Sequence, residues 1–167
     1  MEIMSMFDLI KVLDAAKVDY VLVGGLAVAL HGYQRVTMDV DVVLAMDRNN
    51  LRRFIDCAKL ASLSPVIPVD IESLAEPDLI DRWYREKGML AFGLRTPGAI
   101  ATVIDVLVKP VVAFPDLKRD ASLIAIGPLR VPVASIEHLI TMKTGTGRSK
   151  DIIDIEELRK IQTGRMT

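Results

Sequence analysis

The sequence predicts an α+β fold, and two observations carry that prediction. Short apolar runs with strand spacing mix with amphipathic runs of helix length, without a regular strand–helix alternation. One pair of apolar runs flanks Gly127-Pro128 closely enough to form a hairpin, while the others must pair with distant partners.

The elements follow in order. Ser5 can cap a helix running to about Lys17, with Phe7, Ile10 and Leu13 on one stripe. Tyr20 to Val23 is a strand, Gly24-Gly25 turns the chain, and Leu26 to His31 is a short helix stopped by Gly32. Asp39 to Leu44 is the second strand, and Asp47 caps a helix from Arg48 to Ala61. Leu63 to Ile71, with Pro65 and Pro68, is extended or irregular. Pro77 to Lys87 is helical up to Gly88, Met89 to Leu94 is a strand, and Thr96-Pro97-Gly98 is a turn. Ala101 to Val108 is an apolar strand, and Pro115 to about Lys118 starts a short helix. Leu123 to Ile126 and Leu129 to Val133 make the hairpin. Ser135 caps a helix to about Thr144, Gly145-Thr146-Gly147 breaks it, and Ser149 to Ile161 is the last helix. With no repeat and no linker, residues 1–167 read as a single domain.

Composition narrows the function classes. Hydrophobic residues make up 51% of the chain and charged residues 26%, which marks a folded protein. A mean hydropathy of +0.34 leaves room for a surface buried against a protein partner or a second copy, or for a thick core. The net charge of -1 lacks the basic excess of a general nucleic-acid binder. Cys57 stands alone, so no internal disulfide forms, and its helical surroundings mark it as a core residue. The N-terminal residues lack a signal peptide's basic start and apolar stretch, and no apolar run approaches the roughly 18 residues that span a bilayer. A cytoplasmic protein without membrane association is expected. His31 and His138 stand apart, without a zinc-like spacing.

The chemistry concentrates in three places. Asp39 and Asp41 lie two apart on a strand, so both side chains leave the same face with alpha carbons roughly 6.5 Å apart. Two carboxylates aimed at one region repel unless a cation sits between them, and magnesium prefers such hard oxygen ligands while leaving room for phosphates. A bare acid-x-acid is more often a solvated strand start. Here it opens an apolar strand, and it follows Gly24-Gly25 at a distance that lets the chain fold back. Asp105, inside Thr102-Val-Ile-Asp-Val-Leu-Val108, would be costly in a dry core, so it faces water or joins a site. Gly24 and Gly25 lead into a helix start where backbone amides can meet phosphate, though Gly24, Gly25 and Gly32 do not have the dinucleotide-binding spacing. Lys143, Arg148 and Lys150 surround a helix-breaking loop and are either a solvated charged loop or a clamp on phosphate. Asp151 and Asp154 near the next helix start suit the helix dipole.

Gly24-Gly25, Arg35-x-Thr37-x-Asp39-x-Asp41 and strand-borne Asp105 resemble the nucleotidyltransferases of the DNA polymerase beta superfamily. Lys143 followed by Lys150-Asp151-x-x-Asp154 is similar to its small bacterial branch, which includes the minimal nucleotidyltransferases and the AbiEii-type toxin–antitoxin enzymes. The resemblance covers about residues 18 to 160. It implies a small mixed sheet flanked by helices, with the C-terminal helices packed alongside. It also implies transfer of a nucleoside monophosphate from a nucleoside triphosphate (NTP) to an acceptor hydroxyl, with pyrophosphate released. By this resemblance Asp39 and Asp41 bind Mg2+ or Mn2+, and Asp105 helps with a second metal and activates the acceptor. Gly24, Gly25, Arg35, Thr37, Lys143 and Lys150 hold the triphosphate. The acceptor is a protein, an RNA end or a small molecule. One departure stands out: many members carry serine where this chain has Gly25. That motivates an alternative, a non-catalytic antitoxin-like or nucleotide-binding module on the same scaffold. A haloacid-dehalogenase-like phosphatase is a further alternative, since Asp39-Val-Asp41 matches its nucleophile motif superficially; there, however, the apolar strand precedes the first aspartate.

Overall fold

The computed structural model describes residues 4–164. Its centre is a seven-stranded mixed sheet of order β3-β4-β5-β2-β1-β7-β6. The strands are β1 (Tyr20–Val23), β2 (Asp39–Leu44), β3 (Ser64–Pro65), β4 (Ala91–Arg95), β5 (Val103–Leu107), β6 (Ser122–Ile126) and β7 (Leu129–Val133). Around them lie helices α1 (Met6–Ala15), α2 (Gly24–Leu30), α3 (Arg48–Leu60), α4 (Pro77–Lys87), α5 (Phe114–Asp120), α6 (Ile136–Lys143) and α7 (Ser149–Gln162). A 3-10 turn occupies Ile71–Ala75. The α+β reading and the mixed, helix-flanked sheet hold, and α6 packs on α7 alongside.

Local chemistry sets the element ends. Ser5 and Asp8 form a reciprocal capping box: the Ser5 hydroxyl accepts from the Asp8 amide and the Asp8 carboxylate accepts from the Ser5 amide. The first helix ends at Ala15 rather than near Lys17, because Lys17 takes a left-handed backbone with φ 57°. The stretch expected to be extended or irregular from Leu63 holds the two-residue β3, which pairs with β4 at the sheet edge. The second helix begins at Gly24 itself, so the expected Gly24-Gly25 turn forms its first two residues.

Two pairings position everything that follows. Strand β2 lies between β1, antiparallel, and β5, parallel. In the parallel ladder Val40 pairs with Ile104, Asp41 with Asp105 and Val42 with Val106. Val40, Val42, Ile104, Val106, Phe92 and Leu94 face the core and are fully buried. The intervening Asp39, Asp41, Val103, Asp105, Leu107, Ala91 and Gly93 are half-buried or exposed. This part of the sheet is therefore dry on one face and open on the other.

Cys57 is buried beside Phe54, and burial pushes its thiol up to about 11, which makes it an inert core residue. Asn50 is fully buried and ties two loops together. Its side-chain oxygen accepts from the Asp19 amide at 2.7 Å, and its nitrogen donates to the carbonyls of Asp19 and Ala45, both at 2.8 Å. Asn50→Ala strands the Asp19 amide and the Ala45 carbonyl, leaving the Asp19 carbonyl with only the Ala45 amide, and we expect a loss of about 2–4 kcal/mol in urea unfolding at unchanged m-value.

Candidate active site

The β2–β5 register puts Asp41 directly opposite Asp105 on the open face, with Asp39 two residues before Asp41 on the same face. The field at these groups records their crowding. Burial, then Asp105 and then Asp39, push the Asp41 carboxyl up to about 6, against the opposing pull of Lys143 and Lys150. Burial and the Asp39 charge also raise Asp105. Among the described residues no three His, Cys, Asp or Glu side chains close around a single point. The acids are aligned on one face without forming a cage. That donor set fits magnesium or manganese, which take one or two carboxylates and complete their shell with phosphate and water oxygens. Crowded carboxylates on a half-open face are the chemistry a divalent cation would relieve.

Asp41 and Asp105 each have a glycine that makes room for the carboxylate. Gly24 has φ 71°, and a Cβ there would lie 2.8 Å from both Cβ and Cγ of Asp41. Only glycine meets both demands. On β4, Gly93 pairs with Asp105, and a Cβ on it would sit 2.8 Å from an Asp105 oxygen and 3.2 Å from Val66. Sequence reasoning passed over Gly93. A glycine inside a strand pattern was the available signal, since it marks a close approach of something to the backbone. Next to Gly25, the place of a side chain is filled: its Cβ would meet the Thr37 hydroxyl at 3.1 Å and the Arg35 guanidinium carbon at 3.4 Å. A hydroxyl and a cation thus stand beside the residue whose own side chain is missing.

No side chain caps the first amides of α2. That helix has only seven residues, so its dipole is weak and the cations around it matter more.

Those cations are organised by two buried aspartates. Asp151 and Asp154 are 1% and 2% exposed. Asp154 accepts from Arg35 and pairs with Lys143 at 3.0 Å. Asp151 accepts from Thr146 at 2.7 Å, Arg148 at 2.9 Å and Lys143 at 3.2 Å. Burial opposes its charge, yet Thr146, Lys143 and Arg148 hold the Asp151 carboxyl below the usual carboxylate range. The expected helix-dipole use of this pair gives way to a buried ionic network. It joins the loop before β2 to α6 and α7. Lys143 is fixed by two carboxylates, while Lys150 is exposed; both charges reach Asp41.

A cleft of about 380 Å³ opens at this point, with Gly24, Asp41, Lys143, Thr146 and Arg148 on one side and Leu90, Leu107 and Val111 on the other. His31 is remote in role: its Nε2 bonds the Ala134 carbonyl at 2.8 Å.

Asp41 and fixed cations sharing one cleft, with Asp39 and Asp105 on the same sheet face beside it, are suited to handling phosphate groups. Comparison with known proteins narrows that class. Residues 2–163 match the family described as "Nucleotidyltransferase of unknown function (DUF6036)", and the chain belongs to it. It is an enzyme, a nucleotidyltransferase. The fold is similar to that of the lincosamide antibiotic adenylyltransferase LnuA, solved with lincomycin bound, at TM-score 0.59 and 17% identity over 93% of this chain and 95% of that one. It is also similar to ANT(2")-Ia, solved with adenylyl-2"-tobramycin, at TM-score 0.56 and 11% identity over 96% of this chain and 92% of that one. No curated protein matches the chain in sequence. Among the described residues no helix is long and apolar enough to cross a membrane.

The raised Asp41 carboxyl has a measurable consequence. Its folded value of about 6 exceeds the unfolded value of 3.8, so the folded state keeps its proton longer and stability falls as pH rises from about 4 to about 6. In chelator, Asp41→Asn removes this loss. Its melting temperature relative to wild type should rise across that window and level off above pH 7, as read by thermal scans at each pH.

Proposed function

We propose that this enzyme transfers a nucleoside monophosphate from an NTP to an acceptor hydroxyl, with Mg2+ or Mn2+ as cofactor. The observation that carries the reading is the pairing of Asp41 with Asp105 across β2 and β5, with Gly24 packed against the Asp41 carboxylate. ATP is the donor to try first, because both structural neighbours are named for adenylyl chemistry.

The residues divide the work. Asp39 and Asp41 would hold the cation. Bound there, magnesium would neutralise the carboxylates, polarise the α-phosphate and stabilise the leaving pyrophosphate. Asp105, on the neighbouring strand, accepts the proton of the acceptor hydroxyl, a task suited to a carboxyl raised above its ordinary value. Gly24 and Gly25 let phosphate oxygens approach the backbone. Arg35, Thr37 and Lys143 line the same region as prepositioned charge and hydroxyl. Lys150, exposed, is free to swing onto the triphosphate tail. In this reading the Thr37 hydroxyl and Arg35 beside Gly25 supply what a side chain at that position would have supplied.

The test is pyrophosphate release from each NTP with magnesium and cell extract, followed by a search for a labelled acceptor. Asp41→Asn and Asp105→Asn should each lower release by about a thousandfold while the fold survives. Wild-type rates in both variants would end the reading. Gly93→Ala touches no substrate, yet should cost about tenfold or more by displacing the Asp105 carboxylate, with little change in melting temperature. Lys150→Ala should weaken triphosphate binding by about 1–3 kcal/mol in calorimetry, leaving stability nearly unchanged.

A further inference from the structure

We propose that the acceptor is a small hydroxylated compound with an apolar flank and no positive charge, seated on the Leu90–Leu107–Val111 side of the cleft. The proposal rests on the nucleotidyl-transfer reading above and adds the class of acceptor to it.

In phosphoryl transfer the attacking and leaving oxygens stand roughly in line across the transferred phosphorus. The acceptor oxygen forms its bond to the α-phosphorus, the bond to the β-phosphate oxygen breaks, and pyrophosphate leaves with that electron pair. The hydroxyl proton passes to Asp105. The leaving side is marked by charge: Gly24, Lys143 and Arg148 lie on the α2, α6 and α7 side of Asp41. The acceptor must therefore enter from the opposite side, over β5 and β4.

Apart from Lys109, whose charge is engaged by Asp81, that side is apolar. Ala91 and Leu107 are paired neighbours and form its floor. Leu90 and Val111 form its rim, 71% and 74% exposed. Apolar side chains this exposed at the mouth of a concave site gain most from a ligand that covers them.

The charges point the same way. Asp41 is the only carboxylate lining the cleft among the described residues, against Lys109, Lys143 and Arg148. Asp81, nearby, is engaged by Lys109. On the acceptor side a cationic compound would meet Lys109 and find no free carboxylate, because Asp81 is taken by Lys109 and Asp41 by the phosphate-transfer work. An uncharged acceptor avoids that repulsion and covers the rim.

The test uses full-length protein loaded with magnesium and α,β-methylene-ATP, an analogue that cannot release pyrophosphate. Calorimetry then measures hexyl β-D-glucoside, methyl β-D-glucoside and tobramycin. The hexyl compound should bind at least about tenfold more tightly than the methyl one, since several methylenes are buried. Leu90→Ser should remove most of that advantage. Tobramycin should not bind at 0.15 M salt, and Val111→Glu, which places a carboxylate on the rim, should admit it. Tighter binding of tobramycin than of the hexyl compound would overturn the proposal. So would equal binding of the two glucosides, no binding of either, or an unchanged preference in Leu90→Ser. If the ATP analogue itself fails to bind, the nucleotidyl-transfer reading falls and takes the proposal with it. If the analogue binds and the acceptor pattern fails, only the acceptor class is wrong.

Discussion

The site depends on one pairing, Asp41 opposite Asp105 in the parallel β2–β5 ladder. Strand geometry alternates faces, so a slip of one residue would turn one strand's acids into the core. The opposite face opposes any slip. Val40, Val42, Ile104 and Val106 are buried there, each contributing roughly 1.5–3 kcal/mol against exposure. Burying an unpaired carboxylate instead would cost several kcal/mol more. The hydrophobic core therefore fixes where the acids stand. Gly24 and Gly93 then clear the space that the two carboxylates need.

Fixing the acids creates an electrostatic problem that the rest of the chain answers. Asp39, Asp41 and Asp105 share one face of the sheet, and burial, with repulsion from the other two acids, raises the Asp41 carboxyl. The counter-charge comes from distant segments: Arg35 before β2, Lys143 at the end of α6, Lys150 at the start of α7. Free cations would collapse directly onto the acids. Asp151 and Asp154 prevent this by holding Arg35, Lys143 and Arg148 in a buried network. Such networks add little net stability, because desolvation offsets attraction, but they impose a definite geometry. The cations are thereby kept near the carboxylates while their own charges stay engaged by Asp151 and Asp154.

Much of this could be read in the sequence. Strand alternation placed Asp39 and Asp41 on one face, and a lone acid in an apolar strand singled out Asp105. Capping chemistry located the helix starts at Ser5 and Asp47. What could not be read depended on tertiary neighbours. The roles of Gly93 and Gly25 emerge only when β5 and the Arg35–Thr37 loop come to lie beside them. Helix α7 reverses the usual rule: Asp151 and Asp154 point inward while Ile152 and Ile153 are 54% and 47% exposed. Hydrophobic periodicity would turn that helix the other way. The stripe of Asp151, Asp154 and Leu158 makes sense only once Lys143 and Arg35 are known to await it.

The central claim is that the β2–β5 acid pair and the glycine turn together form one cation-and-triphosphate site. A crystal structure with manganese and α,β-methylene-ATP, with the metal located by anomalous scattering, tests it most directly. The account predicts manganese between Asp41 and the Asp39 or Asp105 carboxylates, with the triphosphate against Gly24 and the Lys143–Lys150 loop. Manganese elsewhere, or a triphosphate bound away from Gly24, would contradict it.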